Sequence, residues 1–143
     1  MQLTRYTDYA VRVLIHLALH RDRLVTITEV ADAYDISRNH LVKVVHALGQ
    51  HGFVATFRGK RGGLRLALEP EAIALDEVIK RLEERLTPTD CEHCPIRGQC
   101  VFETAVDRAM AAFLGTLADY TLADLVEGRG ESLRRALDPR AAG

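Results

Sequence analysis

The sequence predicts a mainly α-helical protein: a winged helix-turn-helix with a two-stranded wing, then a cysteine loop and a long dimerisation helix. Three observations carry this prediction. Two stretches of helical periodicity meet at Asp35-Ile36-Ser37, a glycine-rich basic segment separates two short alternating runs, and a long helical stripe follows the segment holding all three cysteines. At 143 residues the chain can bury one compact core with an extension for oligomerisation. An apolar share of 48% with only 6% aromatic residues and no Trp suits helices packed with Leu, Val and Ala.

The first helix is expected over about residues 2–20, where Leu3, Tyr6, Ala10, Val13, Leu14, Leu17 and Ala18 recur at helical spacing. Thr26-Ile27-Thr28-Glu29 has the form of a capping box, in which the Thr26 hydroxyl accepts from the Glu29 amide and the Glu29 carboxylate accepts from the Thr26 amide. The helix it opens runs to about Tyr34. Asp35 tolerates unusual backbone angles in the turn, and Ser37 caps a second helix from about Arg38 to His51, ended by Gly52. Val30, Ala31, Ile36, Leu41, Val44, Val45 and Leu48 supply the apolar contacts of this helix-turn-helix. By elimination Arg38, Asn39, His40 and Lys43 face outward, and with Ser37 they are the candidates for base or phosphate contact with duplex DNA.

Phe53–Phe57 and Leu64–Leu68 read as short strands, the second alternating in polarity. Between them lies Arg58-Gly59-Lys60-Arg61-Gly62-Gly63, whose glycines permit positive backbone angles and whose cations Arg58, Lys60 and Arg61 sit at the tip of a basic wing. A phosphate-gripping nucleotide loop is the rival. That loop needs Ser or Thr after Gly-Lys and a helix beyond it; here Arg61 and a strand follow.

Glu69-Pro70 ends the wing, and Leu75, Val78, Ile79 and Leu82 mark a short helix to about Leu86. Beyond the cysteines, Phe102, Val106, Ala109, Phe113 and Leu117, joined by Ala105, Met110 and Leu114, form a stripe of about five helical turns. Pairing with the same helix of a second subunit is expected, with packing inside the chain as the alternative. Thr121 caps a final short turn near Glu127, and Gly128–Gly143 is expected to be a mobile tail. The resulting division is 1–86 for the DNA-binding region, 87–100 for the cysteine loop, 101–127 for the dimerisation and short C-terminal helices, and 128–143 for the tail.

The formal net charge of −1 conceals an asymmetry: residues 1–66 carry 10 Lys/Arg against 5 Asp/Glu, whereas residues 67–143 carry 9 against 15. The first half can therefore approach a polyanion, although ordinary surface charge explains the same totals. No signal-peptide pattern is present and charge interrupts every apolar run well short of a membrane span, so a cytoplasmic location without membrane contact is expected. In that reducing compartment Cys91, Cys94 and Cys100 suit thiolate ligands better than a disulfide with one cysteine left over. Three thiolates leave a metal or cluster short of one donor. A thiol oxidoreductase using Cys91 and Cys94 fits poorly, because the chain lacks the strand-helix alternation of such enzymes, and no enzymatic role is expected.

Five segments together resemble a known family. They are Met1-Gln2-Leu3-Thr4-Arg5-Tyr6-Thr7-Asp8-Tyr9-Ala10-Val11-Arg12, Ile36-Ser37-Arg38-Asn39-His40-Leu41-Val42-Lys43-Val44-Val45-His46, the wing Arg58–Gly63, the three cysteines, and Tyr120-Thr121-Leu122-Ala123-Asp124-Leu125. Over about residues 1–127 the chain is similar to the iron-sulfur winged-helix repressors, which include IscR, RirA and, above all, the nitric-oxide-sensing NsrR-like proteins. The resemblance implies a homodimeric repressor of operator DNA and a [4Fe-4S] cluster held by Cys91, Cys94 and Cys100 of one subunit and Asp8 of the other. Nitric oxide would be its signal. Without the resemblance, Asp8 reads as a helix salt bridge with Arg12, four residues on. IscR-like members use a histidine shortly after the third cysteine, but no histidine follows His93 here and Glu103 stands near that place. His93 itself reads as a solvent-facing loop residue. Cys91 and Cys94 also stand closer together than the family's usual first interval, a spacing familiar from zinc sites, so zinc is the alternative metal.

Overall fold

The computed structural model describes residues 2–138 and 140. Thr4 starts α1 (Arg5–Leu19) by accepting the Thr7 amide at its hydroxyl, 3.3 Å away. The expected capping box opens α2 (Ile27–Tyr34): the Glu29 amide donates to the Thr26 hydroxyl at 3.1 Å and the Thr26 amide to the Glu29 carboxylate at 3.0 Å. Asp35 then takes left-handed angles at φ 52°, which turns the chain sharply into α3 (Arg38–Gln50). Ser37 occupies the N-cap position of α3, but its side chain makes no capping hydrogen bond. The expected serine cap is thus corrected: the backbone turn at Asp35 aims the helix, and the Ser37 hydroxyl remains exposed. Gly52, at φ 78°, ends this unit as predicted.

The seven apolar positions read for the helix-turn-helix are all buried, with Val30, Leu41, Val44 and Leu48 almost wholly so. They pack on Ala10, Val13, Leu14 and Leu17 of α1. Each such fully buried Leu or Val contributes on the order of 1.5–3 kcal/mol. β1 (Val54–Phe57) and β2 (Gly63–Leu66) form an antiparallel hairpin in the register Val54 to Leu66 and Phe57 to Gly63. Leu64 also exchanges both backbone hydrogen bonds with Val25, at 3.0 and 2.7 Å, which pins the hairpin's base to the segment between α1 and α2.

After a 3-10 turn at Pro70–Ala72 comes α4 (Leu75–Leu82), shorter than expected. It stops before Leu86 because Glu83 is extended and its carboxylate accepts from Thr4, at the amide (2.8 Å) and the hydroxyl (3.0 Å). The chain then leaves the body through the cysteine loop and α5 (Val101–Ala118), and returns where the Leu75 amide meets the Tyr120 carbonyl and the Leu122 amide meets the Ile73 carbonyl. α6 (Leu122–Val126) seats Leu122 in the core, fully buried, behind the predicted Thr121 cap, whose amide donates to Asp124 at 2.6 Å.

Residues 128–143, expected as a tail, contain a further helix, α7 (Gly130–Ala136). Arg134 attaches it by donating twice to the Leu19 carbonyl, at 3.0 and 2.8 Å, a group left free by the end of α1. Pro139 and residues 141–143 of that segment lie outside the described residues. None of the described helices is long and apolar enough to cross a membrane.

Candidate functional site

Ser37, Arg38, Asn39, His40 and Lys43 are all exposed around the N-terminal end of α3, with Asn39 and Lys43 opposite the buried Leu41, Val44, Val45 and Leu48. That is the arrangement a recognition helix needs, with polar side chains near its N-terminus free to meet base edges. α1 holds this face in place. The Tyr6 hydroxyl donates to the Lys43 carbonyl at 3.1 Å, and the Tyr9 ring lies 6.3 Å from that of His40. In the sequence Tyr6 counts only as an apolar stripe position; its hydroxyl, where a Leu or Phe would have served packing equally, was the available signal of a polar task.

The hairpin carries Arg58, Lys60 and Arg61 exposed at its tip. Gly59 supplies the positive angle, φ 104°, and the Gly62 amide closes the turn on the Gly59 carbonyl at 3.0 Å. Gly62 is required for space: a Cβ there would lie 2.2 Å from the Phe57 carbonyl oxygen. The wing's cations thus project from a tightly closed turn, and Arg65 stacks over Phe57 at 5.2 Å on the strands behind it.

Cys91, Cys94 and Cys100 are half-buried on one loop between α4 and α5. A tight turn closes the first interval, with the Cys94 amide on the Cys91 carbonyl at 3.3 Å, and a second follows with the Arg97 amide on the Cys94 carbonyl at 3.1 Å. The Cys91 thiol lies 3.4 Å from the Thr89 hydroxyl, and Cys100 is the N-cap residue of α5, so the third sulfur is tied to the long helix. Glu103 is occupied: its carboxylate accepts the Gly98 amide at 3.0 Å and pairs with Arg97 at 3.8 Å, bracing the loop. His93 is exposed, as expected for a loop residue, and its ring lies beside Asp90 and Glu92 with one donor atom of each within 4.8 Å of the others.

Asp8 stands on the exposed surface of α1 and meets Arg12 with both carboxylate oxygens, Nη2 at 2.8 Å and Nε at 3.3 Å. The Arg12 guanidinium also lies 6.0 Å from the Tyr9 ring and 5.9 Å from the Tyr34 ring. Within one chain Asp8 is therefore engaged in the helix pair, and the same cation lies between a ring of its own helix, Tyr9, and the ring of Tyr34 at the end of α2.

α5 contains no buried residue. Val101 and Phe102 are 82% and 63% exposed, and the apolar stripe read from the sequence continues through Ala105 and Ala109 on the surface. The alternative of packing within the chain is met only in part, by the face of α5 against α4.

A family model described as Rrf2, iron-dependent transcriptional regulators, matches residues 3–128. The chain belongs to the Rrf2 family. Among Rrf2-like relatives, the HTH-type transcriptional regulator NsrR of Bacillus licheniformis is 42% identical over 132 residues, covering 88% of this chain and 92% of that protein. NsrR of Bacillus subtilis is 41% identical over 140 residues, covering 94% and 96%. Solved structures agree in fold: T. potens IscR superposes with a TM-score of 0.76 at 24% identity, covering 92% of this chain and 90% of that one. CymR, the global cysteine regulator of B. subtilis, superposes at 0.71 and 25% identity over 87% and 95%. This Rrf2 protein is a transcriptional regulator of the NsrR type, a role without a catalytic step.

Proposed function

We propose that this regulator is a cytoplasmic, homodimeric repressor that binds operator DNA under the control of an iron-sulfur cluster and releases it in response to nitric oxide. The observation that carries the reading is the placement of three half-buried cysteines on one loop whose last member opens the exposed helix α5. Three soft thiolates with no fourth cysteine suit an iron-sulfur centre completed by an oxygen donor. Cys91, Cys94 and Cys100 would hold it, with Asp8 of the partner subunit as the fourth ligand. When bound, the cluster would supply iron reactive toward nitric oxide, and through its ligands such a reaction would reach the DNA-binding region.

The chain's own residues divide the remaining tasks. The apolar face of α5 joins two subunits, which sets two α3 helices into successive major grooves with half-sites roughly 34–36 Å apart. Ser37, Arg38, Asn39, His40 and Lys43 meet bases and phosphates, while Arg58, Lys60 and Arg61 of the wing grip the backbone. Thr89 and Glu103 keep the loop folded around Cys91 and Cys100.

Zinc is the second reading, favoured by the single tight turn between Cys91 and Cys94. Protein purified without oxygen, examined by absorption spectrum with iron, sulfide and zinc analysis, separates the two. Brown protein with iron and acid-labile sulfide supports the cluster. Colourless protein that binds DNA and carries one zinc per chain would replace it with a permanently metallated regulator.

A further inference from the structure

Between the first turn of α1 and the start of α3 lies a cleft of about 230 Å³ lined by Arg5, Tyr6, Tyr9, His40, Lys43 and Val44. Its charge distinguishes it. Four other clefts in the molecule each include at least one carboxylate: Glu92 beside the cysteines, Glu83 under α5, Glu29 beside His16, and Asp22 beside His20. The α1–α3 cleft has none among the described residues, and it gathers a guanidinium, an ammonium and an imidazole around two tyrosine rings. The nearest acid along α1, Asp8, is held by Arg12. Among the described residues neither Arg5 nor Lys43 forms an ion pair, and both are exposed.

We propose that this cleft seats a backbone phosphate of the operator duplex, with Arg5 as its anchor. The inference rests on the DNA-binding reading above and adds a contact from outside the helix-turn-helix and the wing. Geometry favours a phosphate over a base edge. Arg5 belongs to α1, outside the recognition helix, and a guanidinium fork matches the paired oxygens of a phosphate. The Tyr6 hydroxyl, bonded to the Lys43 carbonyl, ties the first turn of α1 to α3, so the backbones that carry Arg5 and Lys43 are held beside one cleft. The contact would set register on the duplex and carry no sequence information.

The test measures binding of a labelled operator duplex by anisotropy across a salt series, for the parent, Arg5→Ala, Arg5→Lys and Lys60→Ala, with circular dichroism to verify folding. Arg5→Ala is expected to bind about ten-fold more weakly at low salt, equally for the operator and for mismatched duplexes, with a salt slope shallower by about 0.9. Arg5→Lys should keep most of the slope. If Arg5→Ala matches the parent while Lys60→Ala loses slope, the cleft is not a phosphate seat and the DNA-binding reading stands. If the parent itself shows no salt-dependent duplex binding, that reading fails and this proposal with it.

Discussion

Glu83 accepts two hydrogen bonds from Thr4, one from its amide at 2.8 Å and one from its hydroxyl at 3.0 Å. The pair joins the arm of the cysteine loop to the start of α1, one helical turn before Asp8. Burial raises the Glu83 carboxyl, but hydrogen bonds from Thr7 and Thr4 outweigh it and hold the group below its ordinary value. Both Thr4 donors use the same oxygen, so Gln can replace Glu in accepting them. Glu83→Ala should therefore cost about 1 kcal/mol of stability, while Glu83→Gln, which keeps the acceptor and loses the charge, should cost less. Equal losses in both variants, measured by urea unfolding, would show that the charge and not the hydrogen bonding matters.

The wing makes a second prediction, independent of any metal. A Cβ at Gly62 would meet the Phe57 carbonyl oxygen at 2.2 Å and the Arg58 carbonyl carbon at 2.9 Å, both backbone atoms that cannot turn aside. Gly62→Ala should open the hairpin turn at a cost of about 1–3 kcal/mol and displace Arg58, Lys60 and Arg61 together. Duplex affinity should then fall although every cation is still present. An unchanged affinity with an intact fold would remove the closed wing from recognition.

What was legible in the sequence follows from the range of the interactions. The capping box at Thr26, the left-handed turn at Asp35 and the buried stripe from Val30 to Leu48 are set by residues within one or two helical turns, and each was found where the pattern placed it. Ser37 shows the limit of that logic, because a residue preference names a cap position without dictating where the hydroxyl points. The early end of α4 depends on Thr4, 79 residues away, and the attachment of α7 depends on the Leu19 carbonyl, 115 residues from Arg134. Neither has a local signature. The same is true of the Arg5 cleft, which exists only because α1 packs across α3.

His16 predicts the response to acid. It is 4% exposed, its Nδ1 has no hydrogen-bond partner among the described residues, and its ring stacks on His20 at 4.6 Å. Burial first, and the neighbouring His20 second, lower its pKa from 6.5 to about 4. The unfolded chain takes up this proton below about pH 6.5 while the folded chain does not, so stability from this site is complete above that pH and declines as pH falls toward 4. The loss approaches roughly 3 kcal/mol at pH 4. His16→Phe should flatten this part of the stability profile, measured by denaturant unfolding between pH 7 and 4; a profile parallel to the parent's would assign the acid sensitivity to other groups.

Asp8 provides the test that reaches furthest into the proposed switch. In the single chain its carboxylate is held by Arg12, so service as a ligand to a partner's cluster requires that pair to open or to share an oxygen. Arg12 in turn leans toward Tyr9 and Tyr34, beside α3 and at the end of α2, which gives a change at Asp8 a direct route to the reading unit. Asp8→Ala should leave a dimer with iron and sulfide held by Cys91, Cys94 and Cys100, but with an altered absorption spectrum, an altered nitric oxide titration and weakened cluster-dependent control of operator binding. A helix ion pair alone predicts a different outcome: a stability loss of under about 0.5 kcal/mol, since the pair is solvent-exposed, and no spectral change. An Asp8→Ala protein that matches the parent in spectrum, titration and operator affinity would leave Asp8 as that surface pair and send the search for the fourth ligand elsewhere on the chain.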